Sequence, residues 1–189
     1  MPGGGGIRSV ALFCAASGEV ADSYRAAAAA FGTGCARHGL RMVYGGSNVG
    51  LMGAAAEAAL AAGGAVTGVL PERLIRNERA HRGITELVIV ETLAERKAMM
   101  MELADAFVAL PGGIGTLDEF VHMLLGKDLG QLRKPLLLCD VDGFWAPLIA
   151  LFRHFDATGM LRPTMRDAFA VVPDVPAVFR ELAESRPAA

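Results

Sequence analysis

Little in this sequence points to a secreted, membrane-embedded or nucleic-acid-binding protein. Only three cysteines occur, Cys14, Cys35 and Cys139. An odd number, widely spaced in apolar or mixed surroundings, suits neither a disulfide framework nor paired zinc ligands, and a reduced, cytoplasmic setting follows most simply. A basic excess is missing as well. Lys+Arg number 18 against 20 Asp+Glu, for a formal net charge of −2 and a pI near 6.1, so nucleic acid has no whole-chain electrostatic handle and any anion site must be built locally. No apolar run approaches the roughly 20 residues of a membrane-spanning helix. Pro135 to Cys139 is far shorter, and "AAAAAF" and "AAAEAALAAGG" read as alanine-rich soluble helices. The "MPGGGGIRSV" lead has one arginine but lacks the apolar centre and cleavage pattern of a signal peptide. His38, His81, His122 and His154 show no metal-ligand spacing and read as surface or packing residues. What is present is core: 189 residues, 53% hydrophobic and 20% charged, fit one compact domain over residues 9–186 behind a flexible lead at 1–8.

Short apolar runs rich in β-branched or aromatic residues alternate with longer helix-like segments. "SVALFCA", Arg41 to Tyr44, Ala65 to Leu70, Leu87 to Val90, Ala106 to Leu110, Leu136 to Cys139 and Phe169 to Val172 read as strands. Between and after them, Asp22 to His38, Leu51 to Ala62, Leu93 to Leu103, a segment from Leu117, Phe144 to Thr158 and Pro176 to Ser185 read as helices. Strands buried on both faces and joined by crossover helices predict a doubly wound α/β domain, its sheet mostly parallel and covered on each side. No internal repeat or composition shift divides it.

In such sheets ligands bind beyond the carboxyl ends of the strands, where helix N-termini present unpaired amides. Two of these junctions are glycine-rich. In "VYGGSNVGLMG", Gly45, Gly46, Gly50 and Gly53 do not follow G-x-G-x-x-G, and Leu51 and Met52 stand where an ATP-binding loop needs Lys and Ser/Thr. This loop reads equally as a tight turn, with Gly53 allowing close helix-to-sheet packing, and as half of a site. In "LPGGIGTLDE", Thr116 and Glu119 have capping-box spacing. A cap leaves Gly112, Gly113 and Gly115 unexplained, and their missing Cβ atoms would let a phosphate sit on consecutive amides. A third segment, "TLAERKAMM", repeats the capping-box spacing with Thr92 and Glu95, then places Arg96 and Lys97 where cations oppose the helix dipole by roughly 0.3–1 kcal/mol each. Negative charge is expected nearby. Because this helix leads into the strand Ala106 to Leu110, Arg96 and Lys97 are expected to face Pro111 to Glu119 across one crevice and supply positive charge. Met99, Met100 and Met101 read as adaptable core or interface packing, and Asp140 and Asp142 as turn residues.

Together "GGSNVGLMG", "ERK" and "LPGGIGTLDE" resemble the Lonely Guy (LOG) family of cytokinin riboside 5′-monophosphate phosphoribohydrolases. The family motif PGGxGTxxE is matched without a gap from Pro111 to Glu119, and the likeness runs from "VALFCAAS" through "KPLLLCDVDGFWAPL" into the C-terminal helix. The resemblance implies a Rossmann-like homodimer that hydrolyses the N-glycosidic bond of a nucleoside 5′-monophosphate, a cytokinin riboside 5′-monophosphate or AMP. The products are free base and ribose 5-phosphate. It implies no metal or organic cofactor and no nucleic-acid or membrane partner. Carried over by position, the catalytic pair falls on Arg96 and Glu119, and substrate contacts fall on Glu78, Arg96, Lys97, Gly113, Ile114, Gly115, Thr116, Leu117, Asp118 and Glu119. The chemistry suits them: a carboxylate stabilises an oxocarbenium-like transition state and orients or deprotonates water, while an always-protonated arginine anchors substrate and stabilises developing charge. Three departures bear on the base. Ala15-Ala16-Ser17 replaces a Gly-Ser-Ser type turn, Ala94 replaces a common His, and Leu125 stands where the family has a Thr contact.

Two other classes share some of these features. A non-catalytic nucleotide-binding module could use the same cradle, but it gains little from Glu119 beside a phosphate because like charges repel. A pyridoxal phosphate decarboxylase needs a Schiff-base lysine, and Lys97, Lys127 and Lys134 are the whole supply, none in a recognisable pyridoxal setting.

Overall fold

Seven apolar segments form one sheet in the computed structural model, which describes residues 6–75 and 80–185. The strands are β1 (Ser9–Phe13), β2 (Arg41–Tyr44), β3 (Val66–Pro71), β4 (Glu86–Val90), β5 (Ala106–Ala109), β6 (Leu136–Cys139) and β7 (Ala170–Val172). Their order is β4-β3-β2-β1-β5-β6-β7 and every neighbouring pair is parallel. The helices are α1 (Asp22–Arg37), α2 (Gly50–Ala61), α3 (Leu93–Leu103), α4 (Ile114–Asp128), α5 (Ala146–Ala157) and α6 (Val175–Glu184). The pleat of β1 divides its side chains between two cores. Val10 and Leu12 join residues of α1, α2 and α6 on one face, while Ala11 and Phe13 join residues of α3, α4 and α5 on the other. This two-sided burial is why the central strands read as unbroken apolar runs rather than alternating ones.

Crossovers carry the chain outward from β1 to β4. Helix α3 then brings it back over the sheet to β5, on the other side of β1. The order therefore reverses between β1 and β5, and the carboxyl ends of those two strands open the crevice that the fold provides for a ligand. At the opposite end the same two strands are tied by Asp105, whose Oδ2 accepts from Arg8 N (2.9 Å) and Ser9 N (3.0 Å). Burial alone would raise its pKa, but these bonds, the Ser9 hydroxyl and the nearby Lys134 charge outweigh it and hold the carboxyl below its ordinary value.

Most expected elements agree within two residues, and one difference matters. Helix α4 begins at Ile114 rather than Leu117, with Gly113 as its N-cap and no side-chain cap. Thr116 thus lies inside the first turn and forms no capping box with Glu119. The similar spacing at α3 does form a cap: Glu95 N donates to Thr92 Oγ1 at 3.1 Å, and Glu91 N donates to Glu95 Oε2 at 2.9 Å.

Candidate active site

The loops after β1 and β5 leave the sheet side by side, because Leu110 N donates to Phe13 O (2.9 Å) and Ala15 N to Pro111 O (3.2 Å), continuing the strand pairing past its end. Between them lies a cavity of about 360 Å³. Cys14, Ala15, Ala16 and Ser17 line it from the β1 loop, Met52 from α2, Leu74 and Leu93 from the flank. Arg96 and Lys97 enter from α3, and Gly113, Gly115, Thr116, Asp118 and Glu119 from α4.

The two glycine-rich junctions differ in what fills their helix starts. At α2, Leu51 N and Met52 N both donate to Ala15 O (3.0 and 3.4 Å), so a backbone carbonyl of the β1 loop occupies the place an anion would take. Gly53, expected to pack helix on sheet, instead abuts the backbone of Asn48 in its own loop. The start of α2 is therefore closed by the protein's own backbone, although Met52 from it lines the cavity. At α4 no side chain caps the helix, and a Cβ added at Gly113 or Gly115 would meet nothing within 4 Å. Neither has a positive φ, so neither backbone strain nor crowding explains the two glycines. Gly112 is explained internally, since a Cβ there would overlap the Thr116 side chain.

Opposite this helix end, Arg96 and Glu119 are buried together, Nη2 lying 3.2 Å from Oε1, with only 6% and 9% of their side chains exposed. Lys97 Nζ bonds both oxygens of the half-exposed Asp118 at 2.9 and 2.8 Å. The negative charge expected near the α3 cations is therefore supplied by α4 itself. Arg96 and Lys97 do face the loop and helix after β5, each in an ion pair with an α4 carboxylate. Cys14, at the cavity floor, is pushed well above the ordinary thiol range by burial and then by Glu119, against a smaller opposing effect of Arg96, so it is a neutral wall and not a nucleophile. His122, one turn beyond Asp118, is held below its ordinary value by burial and by Lys97, with Asp118 acting in the other direction. Among the described residues no three His, Cys, Asp or Glu side chains group as metal ligands, and no helix is long and apolar enough to cross a membrane.

Of the residues expected at the site, Arg96, Lys97, Gly113, Gly115, Thr116, Asp118 and Glu119 meet in one crevice. Ile114 and Leu117 do not line it: the Ile114 side chain is 82% exposed, and Leu117 N is committed to Gly113 O. Glu78 lies outside the described residues. Ala15 and Ala16 line the cavity, whereas Ala94 is exposed and Leu125 sits on the outer face of α4. Cys14, Met52, Leu74 and Leu93 were not expected. Their apolar character gives no local signal, and only the neighbourhood of β1 and β5 brings them in.

Fold and crevice define a Rossmann-like α/β protein with a cavity at the switch point of its sheet. The family described as "Possible lysine decarboxylase" matches residues 52–182. A cytokinin riboside 5′-monophosphate phosphoribohydrolase of Rhodococcoides fascians is 43% identical over 169 residues, 89% of this chain and 85% of the relative. One of the same name from Mycobacterium tuberculosis is 38% identical over 177 residues, 94% of each chain. The chain belongs to this family, the Lonely Guy (LOG) family. Among solved structures, the Moco carrier protein of Chlamydomonas reinhardtii aligns with a TM-score of 0.72 at 21% identity, covering 94% of this chain and 96% of that one, a likeness of fold alone.

Proposed function

We propose that this protein hydrolyses the N-glycosidic bond of a nucleoside 5′-monophosphate, releasing free base and ribose 5-phosphate. The observation that carries this reading is the buried Arg96–Glu119 pair beside a helix N-terminus whose two glycines no protein contact explains. The names of the relatives point the same way. The 5′-phosphate takes the amides of Gly113, Gly115 and Thr116 at the positive end of α4, and Lys97 shifts from Asp118 toward it. Ribose C1′ then faces Glu119. As the bond from C1′ to the base nitrogen breaks, the carboxylate stabilises the oxocarbenium-like charge and takes a proton from the water whose oxygen bonds C1′. Arg96 holds Glu119 in place and stabilises the electron pair leaving with the base, whose nitrogen then takes up, through solvent, the proton that Glu119 removed from water. Met52, Leu74 and Leu93 give the base an apolar wall that accepts adenine or an N6-alkylated adenine. Lys97, bound by both oxygens of Asp118, serves here as an anion contact rather than a Schiff-base amine.

A homodimer in a reduced, cytoplasmic setting belongs to the same proposal, as does a single domain over residues 9–186. Its support is an exposed apolar stripe on α4, Val121, Leu125 and Leu129, together with three buried free cysteines. Within α3, Met100 is fully buried, and Met99, Met101 and Leu103 are partly buried against the same core.

Glu119→Gln tests the chemistry. Turnover of AMP, followed by chromatography of free base, is expected to fall on the order of a hundredfold. Because Glu119 is a buried partner of Arg96 and not a helix cap, the variant is also expected to lose about 1–3 kcal/mol of stability. Near-normal turnover would move catalysis to another carboxylate, with Glu78 the next to test.

A further inference from the structure

We propose that Gly45 is a positioning residue for Arg96: its missing side chain is the seat on which the guanidinium lies. The proposal rests on the roles given above to Arg96 and Glu119. Gly45 follows β2 directly and is buried. The next two loop glycines, Gly46 (φ 80°) and Gly50 (φ 63°), occupy the left-handed region where glycine is favoured, but Gly45 does not. Its backbone would accept any residue, so the demand for glycine there is one of space. A Cβ at Gly45 would overlap Arg96 Nη2 and come within 3.0 Å of both Arg96 Cζ and Met52 Sδ. Nη2 is the same nitrogen that lies 3.2 Å from Glu119 Oε1. The end of β2, helix α3 and helix α4 therefore meet at one atom, and the bare Cα face of Gly45 fixes where that atom rests.

The atoms a methyl group would displace are the ends of flexible side chains, not backbone. The fold can absorb the change by swinging the guanidinium aside, and the ion pair with Glu119 cannot. A misplacement of roughly 1 Å at a reacting group can cost on the order of a hundredfold in rate. Gly45 thus acts on the reaction through Arg96, and the stability a side chain there would cost is that of the displaced, buried ion pair.

Gly45→Ala is expected to fold, to lower kcat for AMP roughly tenfold to a hundredfold with a smaller change in KM, and to show Arg96 Nη2 more than about 4 Å from Glu119 Oε1 in its crystal structure. In an Arg96→Lys background, which lacks Nη2, adding Gly45→Ala is expected to change turnover less than about twofold. A variant that keeps the Arg96–Glu119 distance, fails to fold, or loses the same factor in both backgrounds overturns the proposal. If the wild-type protein releases no base from AMP, the functional reading falls, while the Nη2 to Oε1 distance in Gly45→Ala still decides whether Gly45 positions Arg96.

Discussion

Among the described residues four charges meet in the crevice in two pairs, Arg96 with Glu119 and Lys97 with Asp118. The two pairs are not equivalent. The first is buried on both sides, so its geometry is fixed and removing either partner leaves a desolvated charge. The second has one half-exposed member, and a surface ion pair of that kind contributes about 0–1 kcal/mol. Of the two described cations, Lys97 is therefore the one able to exchange its carboxylate for an incoming phosphate at little cost. Lys97→Met, which keeps most of the side chain's apolar length, is expected to leave the melting temperature within a few degrees and to raise KM for AMP about tenfold. Adenosine, lacking the phosphate, should show no such change. Steady-state kinetics with the two substrates separates these outcomes, and an equal effect on both would remove Lys97 from the phosphate site.

At the scale of elements, α4 is the organising piece, contributing the amide end, Asp118 and Glu119 from one and a half turns. Gly115 lies inside its first turn with open space where a Cβ would be. Gly115→Ala is therefore expected to stabilise the protein by up to about 1 kcal/mol, through helix propensity, while raising KM for AMP at least about tenfold as the methyl group enters the phosphate site. Thermal unfolding and kinetics on one preparation check both signs, and a variant with unchanged KM would show that the phosphate binds elsewhere. The strand and helix pattern was legible in the sequence because each strand is short, apolar and followed by a helix. The start of α4 was not. Thr116 and Glu119 have the spacing of a cap, and only the backbone, with Gly113 extended and Leu117 N donating to Gly113 O, shows that the first turn begins at Ile114. Nor does sequence order reveal that β5 lies beside β1. That adjacency brings Cys14, Ala15, Ala16 and Met52 to the cavity and lets Ala15 O fill the start of α2.

For the whole molecule, the proposed site at the switch point of the sheet leaves the outer face of α4 open for the proposed dimer. Val121, Leu125 and Leu129 recur every four residues there and are 42%, 52% and 56% exposed, an apolar stripe suited to a second copy. Light scattering at micromolar concentration is expected to give a dimer for the wild type and a monomer for Leu125→Glu; a monomeric, active wild type would refute the assembly. The account stands most directly on the phosphate. If α4 holds it through charge-assisted hydrogen bonds of about 1.5–3 kcal/mol each, two of them make kcat/KM for AMP at least about a hundredfold greater than for adenosine. The measurement is free base released per enzyme from AMP, from N6-isopentenyladenosine monophosphate and from the two corresponding nucleosides under one set of conditions. Base with equimolar ribose 5-phosphate from a monophosphate, and almost none from its nucleoside, is the result the account requires. Equal release from both forms, or none from either monophosphate, would contradict it.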